Sequence, residues 1–147
     1  DEELNKLILK KVKLKIIGNI NKFPNFLKRK LKQAEKFTKG KHKIQINIAL
    51  NYGSKEELIN TVRKLNKLNL PINEKNIREN LYTKGIPDPE ILIRTGNRNR
   101  LSNFLLWQLA YTEIFFVSKL WPDFEKRDFN KIISEFSLVR RNFGGIK

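Results

Sequence analysis

The chain has 147 residues, 39% of them hydrophobic, and carries 31 lysines and arginines against 15 aspartates and glutamates, a formal charge of +16. That length and apolar fraction suit one domain, 1–147, built round a core. The lack of cysteine excludes disulfides and thiolate metal sites and suits a cytoplasmic protein, the single His42 excludes a histidine-based metal cluster, and no apolar run is long enough to span a bilayer.

Strands are expected at Val12 to Ile17, Lys43 to Leu50, Glu90 to Ile93 and Glu113 to Val117. Helices are expected near Asn25 to Thr38, Ser54 to Lys67, Asn73 to Leu81, Asn103 to Tyr111 and Asp128 to Arg141. Such alternation predicts an α/β fold, a parallel sheet flanked by helices. In the helix after Pro24, Asn25 can cap, Phe26, Leu27, Leu31, Ala34 and Phe37 form the sheet-facing stripe, Gly40 follows as terminator, and Lys28, Arg29, Lys30, Lys32 and Lys36 form a solvated face. Ser54 and Glu57 have the spacing of a capping box. His42 reads as a polar residue at a strand edge, and the stretch from Asn69 to Asn73 with Pro71 as a short helix connection.

The chemistry concentrates between Pro87 and Tyr111. Ile91, Leu92 and Ile93 read as a strand covered on both faces, and Arg94 stands where it ends. A polar loop with Arg98 and Arg100 follows, and Ser102 is placed to cap the helix expected from Asn103. Strand-to-helix edges of open α/β sheets are where ligands bind, and arginine forks with a helix N-terminus suit a diphosphate. A charge directly after a buried strand needs a partner or a wet cleft, which raises this reading above that of an incidental basic loop. Each charge-assisted contact contributes about 1.5 to 3 kcal/mol.

The run IRTGNRNRLSNFLLWQLAYTEIFF, with LWPDF at Leu120 to Phe124, FGG at Phe143 to Gly145, KIIGNINKFP at Lys15 to Pro24 and NIALNYGSKEEL at Asn47 to Leu58, resembles the C-terminal part of the cis-prenyltransferases, specifically the bacterial undecaprenyl diphosphate synthases. The resemblance covers nearly the whole chain. It implies that Arg94, Arg100, Leu101 and Ser102 bind isopentenyl diphosphate and that Glu113 contributes to a Mg2+ site. Residues alone would leave Glu113 as a carboxylate paired with a nearby lysine. The activity implied is cis-prenyl elongation, condensing isopentenyl diphosphate with an allylic diphosphate such as farnesyl diphosphate to make a long lipid carrier for cell-wall assembly. A homodimer is implied as well. Its contact would use part of the apolar Asn103 to Tyr111 helix and the following strand, while Trp121 and Phe124 read as packing residues.

The family's Asp-Gly-Asn-x-Arg loop and Ser-x-Glu-Asn-Trp segment do not occur in these residues, and the chain has no methionine. The resemblance therefore implies the C-terminal part of a longer polypeptide, its first sheet strands and catalytic aspartate lying elsewhere, so that no catalytic residue is assigned here and the chain alone is expected to be inactive. One central strand would then be a bare apolar edge. Other departures are Asn97 and Arg98 where the family has Gly followed by an acid, Asn99 where some members have a metal-binding histidine, Ser54 and Lys55 for Gly-Arg, and Asn142, after Arg140 and Arg141, at a position commonly arginine. The alternative is a catalytically silent partner subunit, which the full set Arg94, Arg100, Ser102 and Glu113 argues against. Nucleic-acid binding ranks far behind, because no aromatics interleave the lysines as a base-stacking platform requires. The charge suits peripheral contact with an anionic membrane surface better.

Overall fold

The computed structural model describes residues 2–140, and the chain divides into two compact units, Asp1–Gly85 and Ile86–Lys147. Arg141, Asn142 and the Phe143 to Gly145 segment lie outside the described residues.

In the first unit, α1 (Glu2–Leu9) leads into β1 (Val12–Ile17), and α2 (Asn25–Phe37) crosses to β2 (Ile44–Ala49), followed by α3 (Ser54–Lys67) and α4 (Glu74–Arg78). β1 and β2 run parallel, in register from Val12 opposite Ile44 to Ile17 opposite Ala49. A parallel pair needs a crossover, and α2 supplies it. The buried apolar residues of this unit are Leu14, Ile17, Leu65 and Leu81.

The two edges of this pair differ. On β1 the Leu14 N–H donates to Thr38 Oγ1 at 3.0 Å and the Ile16 N–H to Glu35 Oε1 at 2.8 Å, so side chains at the end of α2 satisfy the outward backbone groups. β2 pairs with β1 alone among the described residues, and Ile44, Ile46 and Ile48 are 61%, 41% and 40% exposed. These alternate residues lie on one face of β2.

Local termini depart from the expected caps. Pro24, not Asn25, holds the N-cap position of α2, and Asn25 is its first residue. The helix ends at Thr38, two residues before Gly40, because the buried Thr38 hydroxyl donates back to the Ala34 carbonyl at 2.9 Å while accepting from Leu14. Leu27, Leu31 and Ala34 are half-buried as expected, but Phe26 and Phe37 are exposed. At α3 the N-cap is Gly53 with no side-chain capping bond, and Ser54 lies inside the first turn, fully buried. Glu57 is buried too, and its carboxylate accepts from the Tyr52 hydroxyl and the Tyr82 N–H, both at 2.6 Å. A spacing that suggested a capping box thus belongs to a buried staple across 25 residues.

In the second unit, β3 (Ile91–Arg94) and β4 (Glu113–Phe116) also run parallel, from Ile91 opposite Glu113 to Arg94 opposite Phe116, and α5 (Lys126–Ser137) follows. Leu109 and Ile132 are its buried apolar residues. The helix expected over Asn103 to Tyr111 does not form. Ser102, Asn103 and Leu105 have φ of 49°, 62° and 45°, left-handed values that a right-handed helix cannot contain, and the segment runs as consecutive turns. Gln108 and Leu109 are buried there, whereas Tyr111 is 67% exposed. Trp121 and Phe124 stack on each other at 6.2 Å, with Trp121 largely exposed rather than packed in a core.

Candidate functional site

Arg94 is the last residue of β3, half-buried, and its carbonyl accepts from the Val117 N–H at 2.8 Å. The chain then turns through Gly96 and Asn97, with φ of 90° and 55°. The Gly96 N–H donates to the Lys119 carbonyl at 2.8 Å and the Asn97 N–H to the Val117 carbonyl at 3.1 Å. Successive N–H groups in such turns often form anion nests. Here both bond within the unit and are not available to a ligand.

Beyond that anchor, Arg98, Asn99, Arg100 and Ser102 are exposed and Leu101 is half-buried. Ser102 caps no helix, so the helix N-terminus expected to assist anion binding is absent. What this connection offers an anion is therefore side-chain chemistry, from guanidinium forks and a hydroxyl, at the C-terminal end of a parallel strand.

Glu113 is elsewhere on the ladder. It starts β4 opposite Ile91, its N–H donates to the Glu90 carbonyl at 3.0 Å, and the neighbouring Thr112 hydroxyl donates to the Pro89 carbonyl at 2.6 Å. Side chains alternate between faces along a strand, so Glu113 projects with Ile91 and Ile93, while Arg94 projects with Leu92 and Phe116. Three rungs separate them, about 10 Å at strand rise. Glu113 and Arg94 thus stand at opposite ends of the pair and project from opposite faces. Among the described residues no three of His, Asp, Glu or Cys group to hold a metal. Magnesium is commonly held by one or two carboxylates together with phosphate oxygens, and Glu113 does not stand beside Arg94 on the ladder.

A pair not anticipated from sequence involves Lys119, whose carbonyl receives the Gly96 N–H. Lys119 Nζ bonds both carboxylate oxygens of Asp128 at 2.9 and 2.8 Å, and Asp128 also accepts from the Glu125 N–H at 2.9 Å in the capping box that opens α5. The Lys119 ammonium, then the Glu125 N–H, hold the Asp128 carboxyl below its ordinary value. The pair borders a cavity of about 310 Å3 that Phe115, Val117 and Ile132 also line. The spacing of Glu125 and Asp128 was the available signal, since two acids three apart at a helix start can cap reciprocally.

Comparison with known proteins bears on all of this. Residues 1–144 match the prenyltransferase family model described as "Putative undecaprenyl diphosphate synthase". The chain is 39% identical to an isoprenyl transferase of Prochlorococcus marinus over 99% of its own length and 56% of that protein's. It is 38% identical to the ditrans,polycis-undecaprenyl-diphosphate synthase ((2E,6E)-farnesyl-diphosphate specific) of Haemophilus influenzae over 99% of its own length and 64% of that protein's. The chain thus spans roughly three-fifths of the curated relatives it matches. Among solved structures, a probable undecaprenyl diphosphate synthase from Campylobacter jejuni superposes with a TM-score of 0.88 at 36% identity, covering 99% of this chain and 69% of that one. Lavandulyl diphosphate synthase from Lavandula x intermedia, in complex with dimethylallyl diphosphate, gives 0.90 at 28% identity, covering 97% and 65%. The chain belongs to the undecaprenyl diphosphate synthase family of prenyltransferases.

Proposed function

We propose that this chain is the C-terminal part of a cis-prenyltransferase domain and forms the isopentenyl-diphosphate half of a chain-elongating enzyme. The reading is carried by one observation: Arg94 ends a parallel strand, and the exposed Arg98, Arg100 and Ser102 follow it on one anchored connection. Guanidinium forks match diphosphate oxygens two at a time, and they hold the charged end of the substrate while its alkene is left free to react.

In the reaction proposed, the alkene carbon of isopentenyl diphosphate forms a bond to the allylic carbon of a diphosphate such as farnesyl diphosphate. The allylic carbon–oxygen bond breaks, diphosphate leaves, and loss of a proton from the isopentenyl unit sets the new cis double bond. Arg94 and Arg100 bind and orient the isopentenyl diphosphate, with Ser102 adding a hydroxyl contact and Leu101 bordering it. The allylic diphosphate is held by an Asp-Gly-Asn-x-Arg loop that these 147 residues do not contain. Exposed Ile114 and Phe116 on β4 suit a homodimer contact, and a charge of +16 suits an anionic membrane surface facing the cytoplasm. Among the described residues no helix is long and apolar enough to cross a membrane.

The test is a chimaera that joins this chain to a family N-terminal segment carrying the Asp-Gly-Asn-x-Arg loop, assayed with farnesyl diphosphate and labelled isopentenyl diphosphate. Extractable polyprenyl product, lost on Arg94→Ala, is expected. A folded chimaera that binds isopentenyl diphosphate but makes no product would instead favour a silent partner subunit.

A further inference from the structure

The arginine loop is anchored by a clasp that the binding chemistry itself does not need. Its first turn hangs on the carbonyls of Lys119 and Val117, which lie beyond the last residue of β4, Phe116. Lys119 is fixed through its side chain, which bonds both oxygens of Asp128, and Asp128 is fixed by the capping box of α5. Lys119 and Asp128 are 35% and 20% exposed, far less than a surface pair such as Arg127 and Glu125 at 75% and 56%. A pair partly shielded from water in this way is less screened than one in open solvent.

The loop needs such an anchor. Gly96, Asn97, Ser102 and Asn103 all have positive φ. Conformations of this kind persist when the surrounding structure fixes them. The route from helix to loop is continuous: Glu125 holds Asp128, Asp128 holds Lys119, and the Lys119 carbonyl receives the Gly96 N–H.

We propose that Lys119 and Asp128 are positioning residues for the diphosphate loop, pinning the carbonyl that receives the Gly96 N–H and thereby setting where Arg100 and Ser102 are presented. This rests on the reading of that loop as the isopentenyl diphosphate contact. Neither residue touches the ligand. Displacing a bidentate contact by about 1 Å costs about tenfold or more in productive binding.

The experiment is calorimetric titration of the chain with isopentenyl diphosphate, and with inorganic pyrophosphate, for Lys119→Met, Asp128→Asn, their double variant, Lys119→Arg and Arg94→Ala. Asp128→Asn keeps an acceptor for the Glu125 N–H, so the start of α5 survives. Lys119→Met and Asp128→Asn should each weaken both ligands about 5- to 10-fold at unchanged stoichiometry. The double variant should be no worse than either single, and Lys119→Arg should restore most of the affinity. If Arg94→Ala weakens binding but Lys119→Met and Asp128→Asn do not, the positioning role fails while the site stands. If none of the three does, or the unmodified chain binds neither ligand, the loop reading fails and takes the positioning role with it. A fall in stoichiometry at constant affinity, as partial unfolding produces, also overturns the proposal, as do additive losses in the double variant.

Discussion

Arg94 and Glu113 belong to neighbouring strands of one parallel pair, yet they leave it at opposite ends and from opposite faces, three rungs apart. The family resemblance joins them in one reaction, one through diphosphate and one through magnesium. The ladder sets their side chains on opposite faces. Binding of the anion and any contribution of Glu113 should therefore separate experimentally.

Without divalent metal, Arg94→Ala should weaken inorganic pyrophosphate binding by roughly 10- to 100-fold, the loss of one charge-assisted contact. Glu113→Gln should leave it within about twofold, because no Coulomb term of consequence acts across about 10 Å of screened surface. Titration calorimetry in chelator reads both. An equal effect of the two substitutions would mean that Glu113 and Arg94 meet the same anion.

Glu57 is expected to matter for stability rather than for binding. It is 2% exposed and joins Tyr52 to the Tyr82 backbone, and the two rings meet edge to face at 6.4 Å. Glu57→Ala strands a half-buried N–H and removes a hydroxyl partner, with an expected loss of about 2 to 3 kcal/mol in urea unfolding. Tyr52→Phe should cost about 1 kcal/mol. A loss below about 1 kcal/mol in Glu57→Ala would mean that the staple contributes little.

Gly18 follows β1 with φ of 111°, and a Cβ there would overlap the Leu50 carbonyl oxygen. The Leu50 N–H already bonds the Ile17 carbonyl at 2.9 Å, so neither chain can withdraw without opening the end of the pair. Gly18→Ala should destabilise by about 3 kcal/mol or more, through overlap and backbone strain together. By contrast, a Cβ at Gly96 meets nothing within 4 Å, so Gly96→Ala should cost only the strain of its φ of 90°, about 1 kcal/mol. Thermal or urea denaturation of the two variants checks the ordering, and a larger loss at Gly96 would contradict it.

The clasp has a pH signature. Lys119 holds the folded-state pKa of Asp128 below its ordinary carboxylate value of 3.8. A depressed acid contributes its stability above the unfolded value and loses it as pH falls through the folded one. The stability gap between the unmodified chain and Lys119→Met should hence be constant from about pH 8 to 5 and close below about pH 4. Urea midpoints measured across that range read the gap. A gap that persisted into strong acid would show that the ion pair is not its source.

Much of this structure is legible in the sequence because apolar runs and their spacing report burial directly. All four strands fall within one residue of the expected bounds, and α3 runs from Ser54 to Lys67 as the spacing predicts. The misreadings share a physical cause. Asn103 to Tyr111 is apolar enough for a helix, but left-handed turns at Ser102, Asn103 and Leu105 come from how the connection closes between β3 and β4. Glu57 lies at capping-box distance from Ser54, and only Tyr82, 25 residues on, decides its role. Lys119 and Asp128 are joined across a short turn at Trp121–Asp123 that carries no periodicity. The arginine loop itself was readable from Arg94 at a strand end. The face taken by Glu113 was not, since it depends on the pairing register.

If Arg94 and Arg100 hold a diphosphate, removing both guanidinium groups should abolish its binding. Titrating isopentenyl diphosphate into the unmodified chain and into the Arg94→Ala, Arg100→Ala double variant tests it most directly. Binding by the first is expected, with a loss of at least about 100-fold in the second and a cooperative unfolding transition retained in both. Equal affinity in the two proteins would contradict it, and would move the diphosphate away from the end of β3.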